Sequence, residues 1–334
     1  MNLLILSLGT RNNYGGLLQN FALQRVLQKE NIHVKTINCL VVPPLWRIFL
    51  SWIKTFLLLL RGRRRSFVLG NHRRKRADFA EQFMQRFVVM TESYSRLTLK
   101  LLKQNPCDCV IVGSDQVWRP KYNYRIEDMY LKFAGNFPIK RIAYAASFGV
   151  DEWEYTPKQT DECSKLAKKF DAISVREESG IKLCDDNLGV CATWVLDPTL
   201  LLKKEDYLEV CKDVPFSTEK ILVAYVLDMS ESVSELCKSV AKERGLVIKM
   251  LRADFGSVLS VPEWLAMFRD ASYVVTDSFH GTIFSIIFGK DFKSIYNKNR
   301  GAARFESLLN LYNSGRLEEM RNFSINWLKK ALEK

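Results

Sequence analysis

Apolar and polar positions along the chain follow a repeated grammar. Residues 2–8 form a short apolar run and predict a first β-strand. Leu17, Leu18, Phe21, Ala22, Leu23, Val26 and Leu27 then recur on a helical period, and residues 34–38 return to a strand pattern. Strand, helix and strand in that order predict a βαβ unit and a parallel sheet. Residues 77–104 carry Phe79, Phe83 and Phe87 at i, i+4 and i+8 and predict one helix. Four more apolar runs follow. Each ends in polar or charged residues: Gly113-Ser114-Asp115-Gln116, then Ser147 with Gly149, then Arg176, then Asp197 before Pro198. Open α/β sheets place ligands just past the C-terminal ends of their strands, so these four endings predict one shared crevice.

The grammar restarts after residue 198. Strands are predicted at 221–227 and 246–251, and helices at 232–244 and 262–270. Tyr273, Val274 and Val275 then open a buried strand. A polar knot of Thr276, Asp277, Ser278, His280 and Gly281 follows. Ile283, Phe284, Ile286, Ile287 and Phe288 recur on a helical period until Gly289 stops them. A helix N-terminus offers free backbone N–H groups and a positive dipole end, so this knot suits an anion. A strand at 292–296 and helices at 303–312 and 326–332 complete the chain. The fold class is therefore α/β with two Rossmann-like domains, expected at 1–198 and 199–334, with the boundary near 199–218.

The composition, with 47% hydrophobic and 26% charged residues over 334, is that of a soluble globular protein. Eight scattered cysteines read as reduced core thiols. Cys107-Asp108-Cys109 has the wrong spacing for a zinc knuckle, so no metal site is expected. The first residues read as a strand rather than a signal peptide, which points to the cytoplasm. The net charge of +13 is mostly local. Arg61, Arg63, Arg64, Arg65, Arg73, Arg74, Lys75 and Arg76 carry much of it, with no acid between 61 and 76. Just before them, residues 40–60 are apolar and aromatic with a narrow polar stripe of Arg47, Ser51, Lys54 and Thr55. No stretch there reaches the roughly 18 charge-free residues of a spanning helix. The segment reads either as an in-plane membrane helix, with anionic headgroups as its partner over about 43–76, or as a core helix followed by a basic loop. A nucleic-acid partner is not expected, because the block lacks interleaved aromatics on a recognisable module. The loop after the first strand contains Asn13-Tyr14-Gly15-Gly16 but no GxGxxG fingerprint. It reads equally as a turn or as a ligand-contacting loop.

Taken as an ordered set, several motifs resemble the polysaccharide pyruvyl transferase family. They are Asn13-Tyr14-Gly15-Gly16 with Gln19-Asn20, Gly113-Ser114-Asp115-Gln116-Val117-Trp118, the stretch from Tyr144 to Gly149, Ser174-Val175-Arg176-Glu177, Leu196-Asp197-Pro198 and Thr276-Asp277-Ser278-Phe279-His280-Gly281. The resemblance implies a GT-B-like arrangement with an interdomain cleft. It also implies transfer of the pyruvyl group of phosphoenolpyruvate to a sugar diol, giving a cyclic ketal and phosphate. Some members carry Arg two residues before the histidine, where this chain has Ser278. Another cation must then meet the donor, and Arg176, Lys298, Arg300 and Arg304 are the candidates.

That chemistry needs a positioned acid, cations for a carboxylate and a phosphate, and backbone donors. His280 is the expected acid, with Asp277 or Asp115 orienting it or taking a hydroxyl proton. Arg176 would hold an anionic group, and Ser278, Gly281 and Thr282 would supply donors at the helix entrance. Asn13, Tyr14, Gly15, Gly16, Ser114, Gln116, Ser147, Lys298 and Arg304 complete the expected substrate-binding set. No cofactor beyond the donor substrate is expected. The expected acceptor is a hexose such as galactose on a polyprenyl diphosphate, met at the inner face of the bacterial cytoplasmic membrane. Two other readings stay open: a GT-B glycosyltransferase using a nucleotide-sugar donor, and a non-catalytic membrane adaptor of a polysaccharide assembly complex.

Overall fold

The computed structural model describes residues 1–8, 13–39, 53, 66–251, 258–295 and 302–333, with the backbone alone over 66–73 and at 303. The predicted apolar segment at 40–60, Arg61, Arg63, Arg64, Arg65, Lys298 and Arg300 lie outside these residues, or nearly so in the case of 40–60, where only residue 53 is described.

Two parallel sheets organise the described residues. The first contains β1 (Asn2–Leu6), β2 (His33–Cys39), β3 (Met90–Tyr94), β4 (Cys109–Val112), β5 (Lys140–Ala146), β6 (Ala172–Val175) and β7 (Thr193–Trp194), in the order β3-β2-β1-β4-β5-β6-β7. Leu3 pairs with Cys109 and Ile5 with Ile111 in the central register. The second contains β8 (Ile221–Tyr225), β9 (Val247–Met250), β10 (Ala271–Thr276) and β11 (Asp291–Ser294), in the order β11-β10-β8-β9. The α/β class with doubly wound parallel sheets is thus the observed one.

The predicted helix over 77–104 is corrected. Helix runs only to Phe87, β3 follows, and a short helix resumes at Leu99. The Phe79, Phe83 and Phe87 period ends where the helix does. Beyond it, β3 is the edge strand of its sheet, with Thr91 buried and Glu92 and Ser93 exposed. An edge strand covered on few sides lacks the unbroken apolar run that marks β4, whose four residues are all buried.

Alternation sorts the first sheet's side chains into two cores. Leu3, Ile5, Cys109 and Ile111 face α1 (Tyr14–Lys29) and α2 (Ser66–Phe87). Leu4, Leu6, Val110 and Val112 face α3 (Leu99–Gln104), α4 (Pro157–Ala167) and α5 (Ser179–Leu183). The first core continues without a break through α6 (Lys204–Val210) into the second sheet and its helices. Those helices are α8 (Val261–Asp270), α9 (Phe279–Ile287) and α10 (Ala303–Asn313), while α7 (Glu231–Arg244) packs on the other face of the second sheet against Leu222, Ala224 and Val275. Tyr14 stacks on Trp264 at 5.3 Å, and Tyr207 meets Phe284 edge-on at 4.9 Å across that junction.

The last helix, α11 (Leu317–Glu333), was expected to close the second domain and instead packs on the first sheet. Ser324 Oγ accepts the Leu196 N–H at 2.9 Å, Lys140 Nζ donates to the Leu332 carbonyl at 2.7 Å, and Trp327 lies 6.0 Å from Tyr144. Its apolar face, with Leu328 and Ala331 buried, matches the α1 side of that sheet better than open solvent.

Candidate functional site

Strand order reverses between β1 and β4 in the first sheet and between β8 and β10 in the second. Such switch points open a crevice at the strand C-termini, and here the two crevices face one another. Residues leaving these four strands build the site, together with those after β5, β6 and β7.

At the first switch point, Asn13 caps α1. Its Oδ1 accepts the Gly15 N–H at 3.1 Å and its Nδ2 donates to Asp115 Oδ2 at 3.1 Å. Asp115 has φ of 69°, in the left-handed region that ordinary residues avoid. It is held there by a bridge to Ala146 and by its carbonyl, which accepts the N–H groups of Val117 and Ser147. Backbone strain of this kind costs on the order of 1–3 kcal/mol and gathers at functional sites.

Arg176 sits at the centre, with 1% of its side chain exposed. Its Nη1 donates to Asp197 Oδ2 at 3.0 Å and its Nη2 to Ser147 Oγ at 3.1 Å. Asp115 Oδ1 stands 3.6 Å and Glu177 Oε2 3.9 Å from the guanidinium. Burial works against the charge of Arg176, but Asp197, Asp115 and Glu177 together hold its pKa above the ordinary value. Asp197 also accepts from the Thr199 hydroxyl at 2.6 Å and from Ser114 Oγ at 3.1 Å. Burial raises its pKa, yet His280, Arg176 and Thr199 outweigh that and keep the carboxyl below the usual range. Glu177 Oε1 accepts from Ser147 Oγ and from the N–H groups of Phe148 and Gly149.

At the second switch point His280 enters this cluster from α9. Its Nε2 lies 3.7 Å from Asp197 Oδ2, beyond hydrogen-bond distance, and has no hydrogen-bond partner. The other side of the ring lies against Gly15, where any Cβ would overlap the imidazole. Gly15 is therefore required by close approach of two helix entrances. Burial lowers the His280 pKa against the pull of Asp197 and Asp115, and Arg176 and Arg304 lower it further, so the ring is neutral at pH 7. Arg304, from α10, stands beside this cluster. Its guanidinium lies 5.4 Å from the Phe279 ring centre, and that of Arg176 lies 4.8 Å from the same ring. Burial and the Arg176 charge push the Arg304 pKa down to about 10, which leaves it charged at neutral pH.

The structure thus brings Asn13, Gly15, Gly16, Asp115, Arg176, Ser147, Ser114, His280 and Arg304 to one place, but several expected roles change. Asp277 does not serve His280. Its two carboxylate oxygens accept the N–H groups of Leu227 at 2.6 Å and Asp228 at 2.8 Å, fastening the loop after β8. The Tyr14 hydroxyl gives its proton to the Leu259 carbonyl at 2.6 Å rather than to a ligand. Ser114, Ser147 and Thr282 are wholly buried and hydrogen-bonded within the protein, so they position neighbours rather than touch a substrate. Gly281 faces the Thr276 hydroxyl, which fills the space a side chain would need. Ser278 caps α9 through Gly281 N–H at 3.4 Å. Gln116 Oε1 accepts from Arg119 at 2.9 Å. Arg176, expected to hold a substrate anion, is already surrounded by carboxylates.

Two acids went unassigned in the sequence reading, Asp197 and Glu177. Both were visible as charged endings of apolar runs. Asp197 stands directly before Pro198, and that signal, weighed with the other three endings, identifies it.

Two doubly wound parallel sheets with facing switch points and a last helix returning to the first sheet define a GT-B-type α/β protein. Solved structures agree. UDP-GlcNAc 2-epimerase from Neisseria meningitidis bound to UDP-GlcNAc aligns over 99% of both chains at 10% identity and a TM-score of 0.53. The S. aureus MnaA–UDP complex aligns over 97% of this chain and 90% of its own at 10% identity and a TM-score of 0.51. At these identities the likeness shows the fold alone. No curated protein matches the chain. The model of the polysaccharide pyruvyl transferase family matches residues 13–299, and the chain belongs to that family.

Proposed function

We propose that this protein moves the pyruvyl group of phosphoenolpyruvate onto a sugar diol, giving a pyruvate ketal and phosphate. The observation that carries this reading is the buried, neutral His280, whose Nε2 is unpartnered 3.7 Å from Asp197, with Arg176 and Arg304 both packed on the neighbouring Phe279 ring. Arg304 and the N-terminus of α9 would receive the donor's negative groups. Arg304 then stands in for the arginine that Ser278 replaces. An arriving carboxylate and phosphate raise the His280 pKa by their own charge, so the donor itself loads the acid. The imidazolium protonates the methylene carbon while a sugar hydroxyl attacks the central carbon and releases its proton to Asp115. Phosphate then leaves, and the second hydroxyl closes the ring as its proton passes to the imidazole that His280 has become. Asp197 steadies the imidazolium from 3.7 Å away.

The acceptor in this reading is a hexose such as galactose on a polyprenyl diphosphate at the cytoplasmic membrane face of a bacterium. No helix among the described residues is long and apolar enough to cross a membrane. Arg76, the last residue of the basic block, lies over the Tyr14 ring at 5.8 Å and so also packs on the fold. Removing residues 43–65 should abolish sedimentation with anionic liposomes at moderate salt. Undiminished sedimentation rejects the membrane role.

Phosphate release from phosphoenolpyruvate that depends on a galactoside diol tests the reaction itself. Release of a nucleoside diphosphate from a nucleotide sugar, with phosphoenolpyruvate inert, would overturn it.

A further inference from the structure

The loop after β4 and the segment before α4 carry aromatic side chains that the reaction above does not use. Tyr122 is 57% exposed. It lies on the loop that leaves β4, seven residues after Asp115. One face of its ring is backed by the Arg119 guanidinium at 5.3 Å. Arg119 cannot swing away. Its Nε and Nη2 both donate to the Glu154 carboxylate, at 2.8 and 2.9 Å, and its Nη1 donates to Gln116. Tyr122 is therefore an exposed ring backed by a fixed cation, on the loop that leaves Asp115.

Glu154 leads directly to the next platform. Trp153 lies parallel to Tyr155 at 4.1 Å, and its Nε1 donates to Thr160 Oγ1 at 2.8 Å. Tyr155 is anchored in turn by donating to the Trp118 carbonyl at 2.7 Å. The indole forms the end of an open groove of about 550 Å³ along α4, lined also by Asp161, Lys165, Lys168 and Asn187. Its size falls within the usual range of ligand pockets, roughly 300–1,000 Å³.

The chemistry of this surface selects its occupant. Flat rings held from behind match the apolar faces of pyranoses. Side chains that both donate and accept match sugar hydroxyls. Asp161 beside Lys165 and Lys168 gives mixed charge, which disfavours a polyanion such as nucleic acid. Apart from its rings the groove is polar, which disfavours a lipid tail. The geometry points to an extended glycan track, on which Tyr122 takes a sugar on the loop that leaves Asp115 and the Trp153 groove takes units farther along the acceptor chain. This assignment rests on the pyruvyl transferase reading for its direction, since it makes the acceptor an oligosaccharide rather than a single sugar.

The test is calorimetric titration with methyl galactoside, galactopentaose and cellopentaose, which requires no turnover, alongside the KM of each galactose acceptor in the phosphate-release assay. Wild-type protein should bind a pentasaccharide more tightly than the monosaccharide. Trp153→Ala should narrow that difference by about tenfold, as expected for the loss of one ring-stacking contact, and Trp153→Phe should restore most of it. Tyr122→Ala should raise the KM of both galactose acceptors. Equal affinity for long and short sugars, or an unaltered length dependence in folded Trp153→Ala, overturns the track. Length-dependent binding without phosphate release would uphold the track and reject the pyruvyl reading.

Discussion

The two switch points that face each other are built on opposite terms. At the first, each charged side chain is held by several partners, although Arg176 Nε and Glu177 Oε2 lack hydrogen bonds of their own. Asp115 is held by Asn13, Arg176 by Asp197 and Ser147, and Glu177 by a hydroxyl and two backbone N–H groups. At the second, Asp277 fastens the loop after β8 and Ser278 caps α9, while His280 is delivered with an empty nitrogen. One half is a rigid charged frame and the other brings a single proton carrier to it. A frame whose charges are already paired resists reorganisation, and an acid whose partner is just out of reach can respond to the ligand.

The comparison breaks most visibly at Arg176. Its removal leaves Asp197 and Glu177 buried without their cation, and deletion of one partner of a buried ion pair costs about 3–5 kcal/mol. Arg176→Ala should therefore lower stability by that order, read as a fall in the urea midpoint at constant slope. A loss below about 1 kcal/mol would mean that the frame is not held by charge.

His280→Ala should do the reverse. It removes a ring whose Nε2 has no hydrogen-bond partner, so the fold should survive while turnover falls on the order of 100-fold or more. The pH profiles sharpen the point. Burial lowers the His280 pKa in the free protein, and an anionic donor raises it in the complex. Both kcat/KM and kcat should fall as pH rises through the respective pKa, because the acid form is the active one. The limb of kcat/KM should lie at lower pH than the limb of kcat. Coincident limbs, or a limb that persists in His280→Ala, would remove the histidine from the acid role.

Much of this was legible in the residues. Strand ends at Asp115, Ser147 and Arg176 and the knot at His280 declared a crevice, because parallel strands announce themselves by unbroken apolar runs. Partnering inside the crevice was hidden. Asp277 is three residues from His280 in sequence, yet its carboxylate serves the loop after β8, while Asp197, eighty-three residues away, faces the ring. Local spacing reports the neighbours along an element and says nothing about which loop of another strand arrives opposite. The same limit explains α11, whose amphipathic pattern fixes a helix but not the sheet that receives it. It also explains β3, whose edge position dilutes the apolar signal.

The smallest effect separates structure from binding at the joint between the halves. Tyr14 stacks on Trp264 and its hydroxyl donates to the Leu259 carbonyl at 2.6 Å. Tyr14→Phe keeps the stacking and removes one hydrogen bond, so it should cost about 0.5–1.5 kcal/mol of stability. The KM for phosphoenolpyruvate should hold, because the hydroxyl faces a backbone carbonyl of the second half and not the pocket. A rise in that KM with unchanged stability would return Tyr14 to the substrate-binding set. It would also mean that the joint carries a ligand contact, so that the frame and the histidine are coupled through it.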